Sequence, residues 1–176
     1  EIGKFSLGTD GSGFNNLIVE TGCARHRDKL NDFSKTDIGY IKSSDYLYMN
    51  GGEIFNFTLE VVPTLIEKCL SVNFLKKNQI DYFIFHQANK FIHKQLSKKL
   101  KSDLSKMPMC INKYGNTSAS SIPLVICDTY GEDSSDEEVN FLMTGFGVGL
   151  SWGVVSAKIN KKDIFPVIET DNYFEE

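Results

Sequence analysis

The chain has 176 residues, 41% hydrophobic and 24% charged, a composition that supports one well-buried globular core and a single domain. A formal net charge of -4, with pI near 5.4, excludes a general nucleic-acid binder, which needs a domain-wide basic excess, so any docking surface has to be local. No run approaches the roughly 18 apolar residues that span a bilayer, and Glu1-Ile2-Gly3-Lys4 does not read as a signal peptide, so a cytoplasmic chain is expected.

Cys23, Cys69, Cys110 and Cys127 lie far apart with no C-x-x-C spacing, which favours buried free thiols over a zinc ribbon or a disulfide framework. The first residue is not methionine and the chain runs straight into turn-rich sequence, as a fragment or a processed product would.

Gly8-Thr9-Asp10-Gly11-Ser12-Gly13 is glycine-rich and precedes Leu17-Ile18-Val19, which reads as a strand. A phosphate cradle needs the order strand, glycine loop, helix and a Gly-Lys-Ser/Thr step; both are missing, and a turn is the better reading. From Thr21 to about Asp45 the chain is polar and lacks periodicity, a long surface excursion of the kind that is functional or mobile. Ile54, Phe57, Val61 and Leu65, with Phe55, Val62, Ile66 and Cys69 beside them, then recur at three- and four-residue steps and predict a helix capped by Asn50. Pro63 inside it predicts a kink, or a second helix opening at its first turn.

Asp81-Tyr82-Phe83-Ile84-Phe85 is short, aromatic and apolar, hence a buried strand that delivers His86 at its carboxyl end. Residues 89 to 100 predict a helix with Phe91, Ile92, Leu96 and Leu100 inward and Lys90, Lys94, Lys98 and Lys99 outward. Met109-Cys110-Ile111 predicts a further strand, followed by a Gly115-Asn116 turn and an apolar helix over about 118 to 130. After an acidic turn at 131 to 138, Val139 to Thr144 leads through Gly145-Phe146-Gly147-Val148-Gly149 into Leu150 to Ile159, two strands tightly joined and antiparallel. Strands alternating with helices make an α/β fold, a mixed five-stranded sheet with helices on its faces over residues 1 to 160. Residues 161 to 176 read as a polar C-terminal tail.

Two of these units end alike. Each sets one polar side chain, His86 or Asn116, at the mouth of an apolar strand just ahead of a helix, which is how two hydrogen-bond donors are aimed at one reacting oxygen. No cysteine or serine nucleophile in a recognisable setting accompanies them. Pairing Cys23 with His26, or His86 with His93, leaves the ligand set incomplete, so no metal is expected. On spacing alone the simpler reading makes His86 a hydrogen-bonded core histidine and Asn116 a turn former.

Four words decide otherwise: M-N-G-G-E-I-F-N-F at 49 to 57, H-Q-A-N at 86 to 89, Y-G-N-T-S-A-S at 114 to 120 and G-F-G-V-G-L-S-W-G at 145 to 153. In this order and spacing, over roughly residues 8 to 159, they resemble the C-terminal half of ketoacyl-acyl-carrier-protein synthase III, a condensing enzyme of the thiolase superfamily. The resemblance implies a thiolase-like half-fold, the second of two similar halves, with the end of the first at its start. It implies an acyltransferase of fatty-acid synthesis that joins malonyl-carrier protein to an acyl thioester by decarboxylative condensation. His86 and Asn116 match the family's catalytic histidine and asparagine.

By the same resemblance the backbone N–H of Val148 takes the oxyanion-hole position, at a place where many members have glycine. Gly147 and Asn89 become substrate-binding candidates, and Asn89 matches the residue that orders the thioester arm. Phe91 stands where an arginine that meets carrier or coenzyme A phosphates is often found. Lys90, Lys94 and Lys98, with His93, Lys99 and Lys101 nearby, offer a positive face to an acidic acyl carrier protein, or else a solvated helix face. None of the four cysteines matches the nucleophile, which belongs to the N-terminal half. The chain alone is therefore expected to be inactive, its partners being that half, the carrier protein and the acyl and malonyl thioesters, with no cofactor. The complete enzyme is expected to be a homodimer, with no nucleic acid and no membrane among its partners. Two rival readings stay open: another thiolase-superfamily synthase, of polyketide or hydroxymethylglutaryl type, and a non-catalytic carrier-binding or dimerising module.

Overall fold

The computed structural model describes residues 1–170. In chain order it places β1 at Ser6–Thr9, β2 at Leu17–Ile18, β3 at Ser34–Lys35, β4 at Ile41–Lys42, β5 at Tyr48–Met49 and α1 at Gly51–Val72. These are followed by β6 at Tyr82–Phe85, α2 at Lys90–Leu100, α3 at Ile111–Tyr114, α4 at Ser121–Tyr130, β7 at Glu138–Gly147 and β8 at Ser151–Asn160. The main sheet has the order β1-β8-β7-β6. Its only parallel pair is β6 with β7, in register from Tyr82 opposite Phe141 to Phe85 opposite Thr144. β7 and β8 form an antiparallel hairpin from Glu138 opposite Asn160 to Gly147 opposite Ser151, and β1 lies antiparallel on the outer edge of β8.

β6 can be apolar throughout because helices cover both its faces, and the two-residue period of a strand divides its side chains between them. Phe83 and Phe85 join Val62, Leu65 and Ile66 of α1, Ile92, Leu96 and Leu100 of α2, and Leu142, Phe146 and Val154 of the hairpin in one core. Ile84 points the other way, into a second core with Val125, Ile126 and Tyr130 of α4, Val139 and Phe141. That core also takes in Ile164, so the chain still packs three residues past the expected start of the tail. The tail's last residues, Asp171 to Glu176, lie outside the described residues.

α1 starts where Asn50 was expected to cap it, the Asn50 side chain accepting the Glu53 N–H at 3.2 Å. It then runs unbroken through Pro63. No second helix opens there, because Val62, Leu65 and Ile66 all bury against the sheet and outweigh one missing backbone bond. The excursion at 21 to 45 carries no helix, and its backbone is pinned by two carboxylates. Asp32 accepts from Ser43 Oγ, Ser44 N and Ser44 Oγ, and Asp45 accepts from Thr21 Oγ1, Leu30 N and Asn31 N. These bonds hold the Asp32 carboxyl down at about 2, with Ser44 and Ser43 the leading causes.

Four expectations need correction. Among the described residues the main sheet has four strands rather than five, since Met109-Cys110-Ile111 joins no ladder: Cys110, at φ -121° and ψ 9°, caps α3, which starts at Ile111. Pro108 has no N–H to give, and the Cys110 N–H goes to the side chain of Gln87 at 3.1 Å. Phe91, placed inward on α2, is 58% exposed and stacks on Phe55 with ring centroids 5.3 Å apart. His93, placed on the positive face, is fully buried in its stead. Cys23 is exposed, so the thiols are not uniformly buried.

Gln87 is thus a side chain standing in for a sheet rung. It is fully buried, accepts from Cys110 N, and donates to Phe85 O at 2.8 Å, with Pro108 O 3.5 Å away. Replacing it with leucine keeps the apolar bulk but leaves the Cys110 N–H and the Phe85 carbonyl buried and unpartnered. We expect Gln87→Leu to lower unfolding free energy by roughly 2–6 kcal/mol, at 1–3 kcal/mol for each of the two orphaned groups, read from urea denaturation.

Candidate active site

β6 ends at Phe85, and the next N–H, that of His86, still donates to the Thr144 carbonyl at 2.9 Å. This last parallel-type bond fixes where the imidazole leaves the sheet, at the carboxyl end of the strand. There the ring is half-buried and meets Phe146 of β7 edge to face, with centroids 5.5 Å apart. Its Nδ1 lies 2.7 Å from the hydroxyl oxygen of Ser121, the first residue of α4. Burial lowers the His86 pKa below the ordinary 6.5, and the Ser118 backbone carbonyl facing the ring partly opposes that shift. The imidazole is therefore neutral at physiological pH and carries one N–H.

Asn116 follows α3 in an exposed turn, and its Oδ1 accepts the Ser118 N–H at 2.9 Å. With the oxygen committed to that turn, the carboxamide NH2 is the end left to donate outward. Ser118 is the residue that both candidates touch, Asn116 through its N–H and His86 through its carbonyl. It holds φ at 54°, in the left-handed region that costs a non-glycine residue about 1–2 kcal/mol. Such strain is typical of segments whose shape is held for a site.

The other candidates sit at different distances from this centre. Val148 lies in the turn between β7 and β8 and is 66% exposed. The left-handed backbone of that turn falls on Gly149, at φ 138°, and not on Val148, so a side chain at 148 is not strained. Gly147 closes β7 with open space where a Cβ would stand. Asn89 caps α2, its Oδ1 accepting the Ile92 N–H at 2.8 Å, which commits its oxygen to the helix. Lys90, Lys94 and Lys98 are exposed along α2, and none of the ion pairs among the described residues involves them.

Behind the site, Gln87 and Ser121 were given no role from the sequence, and His93 was given only a place on the positive face and in an incomplete metal pair. His93 Nε2 lies 3.3 Å from Gln87 Nε2, which is a donor, so His93 accepts there; its Nδ1–H donates to the Asn89 carbonyl at 3.2 Å. This chain of bonds ties the end of β6, the 108 to 110 segment and the start of α2 together. His93 had a sequence signal, since it follows Ile92 and precedes Leu96 by three and so shares their face. Ser121 had none, being one serine in a Ser-Ala-Ser-Ser run.

A family model described as 3-oxoacyl-[acyl-carrier-protein (ACP)] synthase III C terminal matches residues 70–159, which span His86, Asn116 and the glycine turn. The chain belongs to this family. A Campylobacter jejuni protein with the provisional name 3-oxoacyl-[acyl-carrier-protein] synthase 3 is 34% identical over 164 residues, 92% of this chain and 45% of that protein. The beta-ketoacyl-[acyl-carrier-protein] synthase III of Porphyra umbilicalis is 38% identical over 114 residues, 65% of this chain and 35% of its own.

Among solved structures, the 3-oxoacyl-(acyl-carrier protein) synthase of Burkholderia xenovorans LB400 superposes with TM-score 0.81 at 40% identity, covering 94% of this chain and 46% of that one. The priming beta-ketosynthase of the R1128 polyketide pathway shares the fold, with TM-score 0.70 at 23% identity, covering 90% of this chain and 45% of its own. The chain spans less than half the length of each of these relatives. The architecture is accordingly the thiolase-like α/β half-fold of the synthase III family. Among the described residues no helix is long and apolar enough to cross a membrane.

Burial lowers the pKa of both His86 and His93, the Asn89 carbonyl opposing the shift at His93 and the His86 charge adding to it. Below the ordinary 6.5 the unfolded chain binds more protons than the folded one. Stability therefore falls as pH drops from about 6.5 through the two depressed folded values, and is unaffected by these groups above that window. Asp32 and Asp133, at about 2, titrate far lower and do not blur it. Urea unfolding at about pH 7.5 and about pH 5.5 should show the loss in the unsubstituted chain and a smaller one in His93→Leu.

Proposed function

We propose that this chain is the donor-activating part of a 3-oxoacyl-[acyl-carrier-protein] synthase III, with His86 and Asn116 stabilising the enolate formed from a malonyl thioester. The observation that supports this reading is that both candidates involve Ser118, a strained residue whose N–H bonds the Asn116 carboxamide oxygen and whose carbonyl opposes the fall of the His86 pKa. As the malonyl C–CO2 bond breaks, its electron pair moves into the thioester, and the carbonyl oxygen takes on negative charge. Neutral donors lower the energy of that oxygen without a fixed positive charge that would hold the intermediate back. The enolate carbon then attacks the acyl thioester carbonyl, and the acyl group's sulfur leaves as thiolate.

Several features fit the rest of the reaction. The matched part is less than half of each relative compared, so the acyl-bearing nucleophile is assigned to the remainder of the protein and the chain alone is inactive. The backbone N–H of Val148, free of left-handed strain, is the candidate for the acyl oxyanion, with Gly147 leaving room beside it. Asn89, though its oxygen caps α2, retains its NH2 for the thioester arm. Lys90, Lys94 and Lys98 face solvent on one stretch of helix and steer an acidic carrier protein, chiefly through association rate.

Two measurements on the complete protein test this. In a malonyl-carrier condensation assay, His86→Ala is expected to cost on the order of 10²–10³ in kcat; unchanged activity would remove His86 from the mechanism and favour a non-catalytic module. Reversing the three lysines to glutamate should raise KM for the carrier about tenfold at low salt, with little change in kcat and a difference that fades as salt rises.

A further inference from the structure

The tautomer of His86 follows from counting protons at Ser121. The Ser121 side chain is 1% exposed, and its oxygen has two partners among the described residues. One is the Gln87 backbone N–H at 3.2 Å, which only donates. The other is His86 Nδ1 at 2.7 Å. A buried hydroxyl must place its own proton, and of these two partners only Nδ1 can accept it. We infer that Ser121 is a positioning residue that donates to His86 Nδ1 and thereby holds the imidazole in the Nε2–H form.

The local architecture makes this a built arrangement rather than an incidental contact. Ser121 opens α4 while His86 and Gln87 leave β6, so one hydroxyl grips two consecutive residues of the strand end from a different element. The Gln87 N–H fills one lone pair of the oxygen and turns the hydroxyl proton toward the ring. Phe146, edge to face with the imidazole, limits the rotation that would exchange the two nitrogens. His93 shows the opposite assignment by the same logic, its Nδ1–H donating and its Nε2 accepting. For the reaction, and resting on the function proposed above, the consequence is that the single N–H of His86 sits on Nε2, the nitrogen farther from the backbone.

The direct test needs no substrate. The chain has three histidines, so a long-range proton–nitrogen NMR spectrum of ¹⁵N-histidine-labelled protein, assigned with His86→Gln, reads each tautomer separately. The expected result above the His86 titration is one form with unprotonated Nδ1 and protonated Nε2. An Nδ1–H form, or an even mixture, overturns the inference without reference to any variant.

Ser121→Ala should release the bias to a mixture and, in the complete protein, lower kcat about five- to tenfold at unchanged KM, the effect of losing one buried hydrogen bond. Ser121→Thr, which keeps the hydroxyl, should retain the Nε2–H form. A single Nε2–H tautomer that persists in a folded Ser121→Ala protein also overturns the inference. If the tautomer depends on Ser121 while His86→Ala leaves condensation intact, the catalytic reading fails and the tautomer assignment stands.

Discussion

The carboxamide of Gln87 is the constraint on which the arrangement of the site depends. It sits fully buried where three elements meet, accepting from the 108 to 110 segment, donating back to the last residue of β6, and passing a hydrogen to His93 under α2. In a low-dielectric interior such bonds are individually strong, and an unmade one is costly, so the three elements have one mutual position in which all are satisfied. His86 follows directly on β6 and Asn116 lies a few residues beyond the 108 to 110 segment, so the one buried amide fixes the strand end and the segment from which the two candidates set out.

The neutral state of the imidazole comes from the same packing. A histidine at a strand end in open solvent titrates near its ordinary 6.5 and keeps a protonated minority at neutral pH; half-buried behind Phe146 and α4, this one is pushed further toward the neutral form. Its basicity falls because burial disfavours the cation more than the Ser118 carbonyl favours it. The balance matters for an anionic intermediate. In the condensation proposed above, a cation would bind the enolate more tightly but also deepen the well it must leave, whereas two neutral donors would share the charge and let the carbon attack.

Much of this was readable in the sequence, for reasons that also explain what was not. Periodicity exposed α1 and β6 because both bury one chemistry on a fixed period, and the Asn50 cap follows from a local bond three residues long. Pro63 misled because the rule for proline is local while the helix is held by burial of Val62, Leu65 and Ile66 along the sheet. Met109-Cys110-Ile111 looked like a strand because it is apolar; whether it makes a ladder depends on Pro108 and on a glutamine 23 residues earlier in the chain. Exchanging Phe91 for His93 on the inner face of α2 reverses the usual preference, and it works only because Gln87 and the Asn89 carbonyl are there to satisfy both ring nitrogens. His86 and Asn116 themselves were visible through their motifs. Ser121 was not, because a hydroxyl that acts on a residue 35 positions away leaves no pattern in a single sequence.

The turn after β7 shows how a departure from the family's pattern can be absorbed by a neighbour. Valine at 148 seems to forfeit the conformational freedom that glycine gives, and with it the geometry of the backbone donor. The structure places the left-handed residue one position later, at Gly149, where an added Cβ would also meet Ser151 at under 3 Å. Glycine is therefore required at 149 on two independent grounds, and Val148 needs only an ordinary backbone. A peptide N–H does not depend on the side chain beside it, so the substitution changes the surface at the mouth of the turn while leaving the donor available. For the oxyanion role proposed above, the identity of the residue at 148 would then bear on what approaches the turn rather than on how the oxyanion is held.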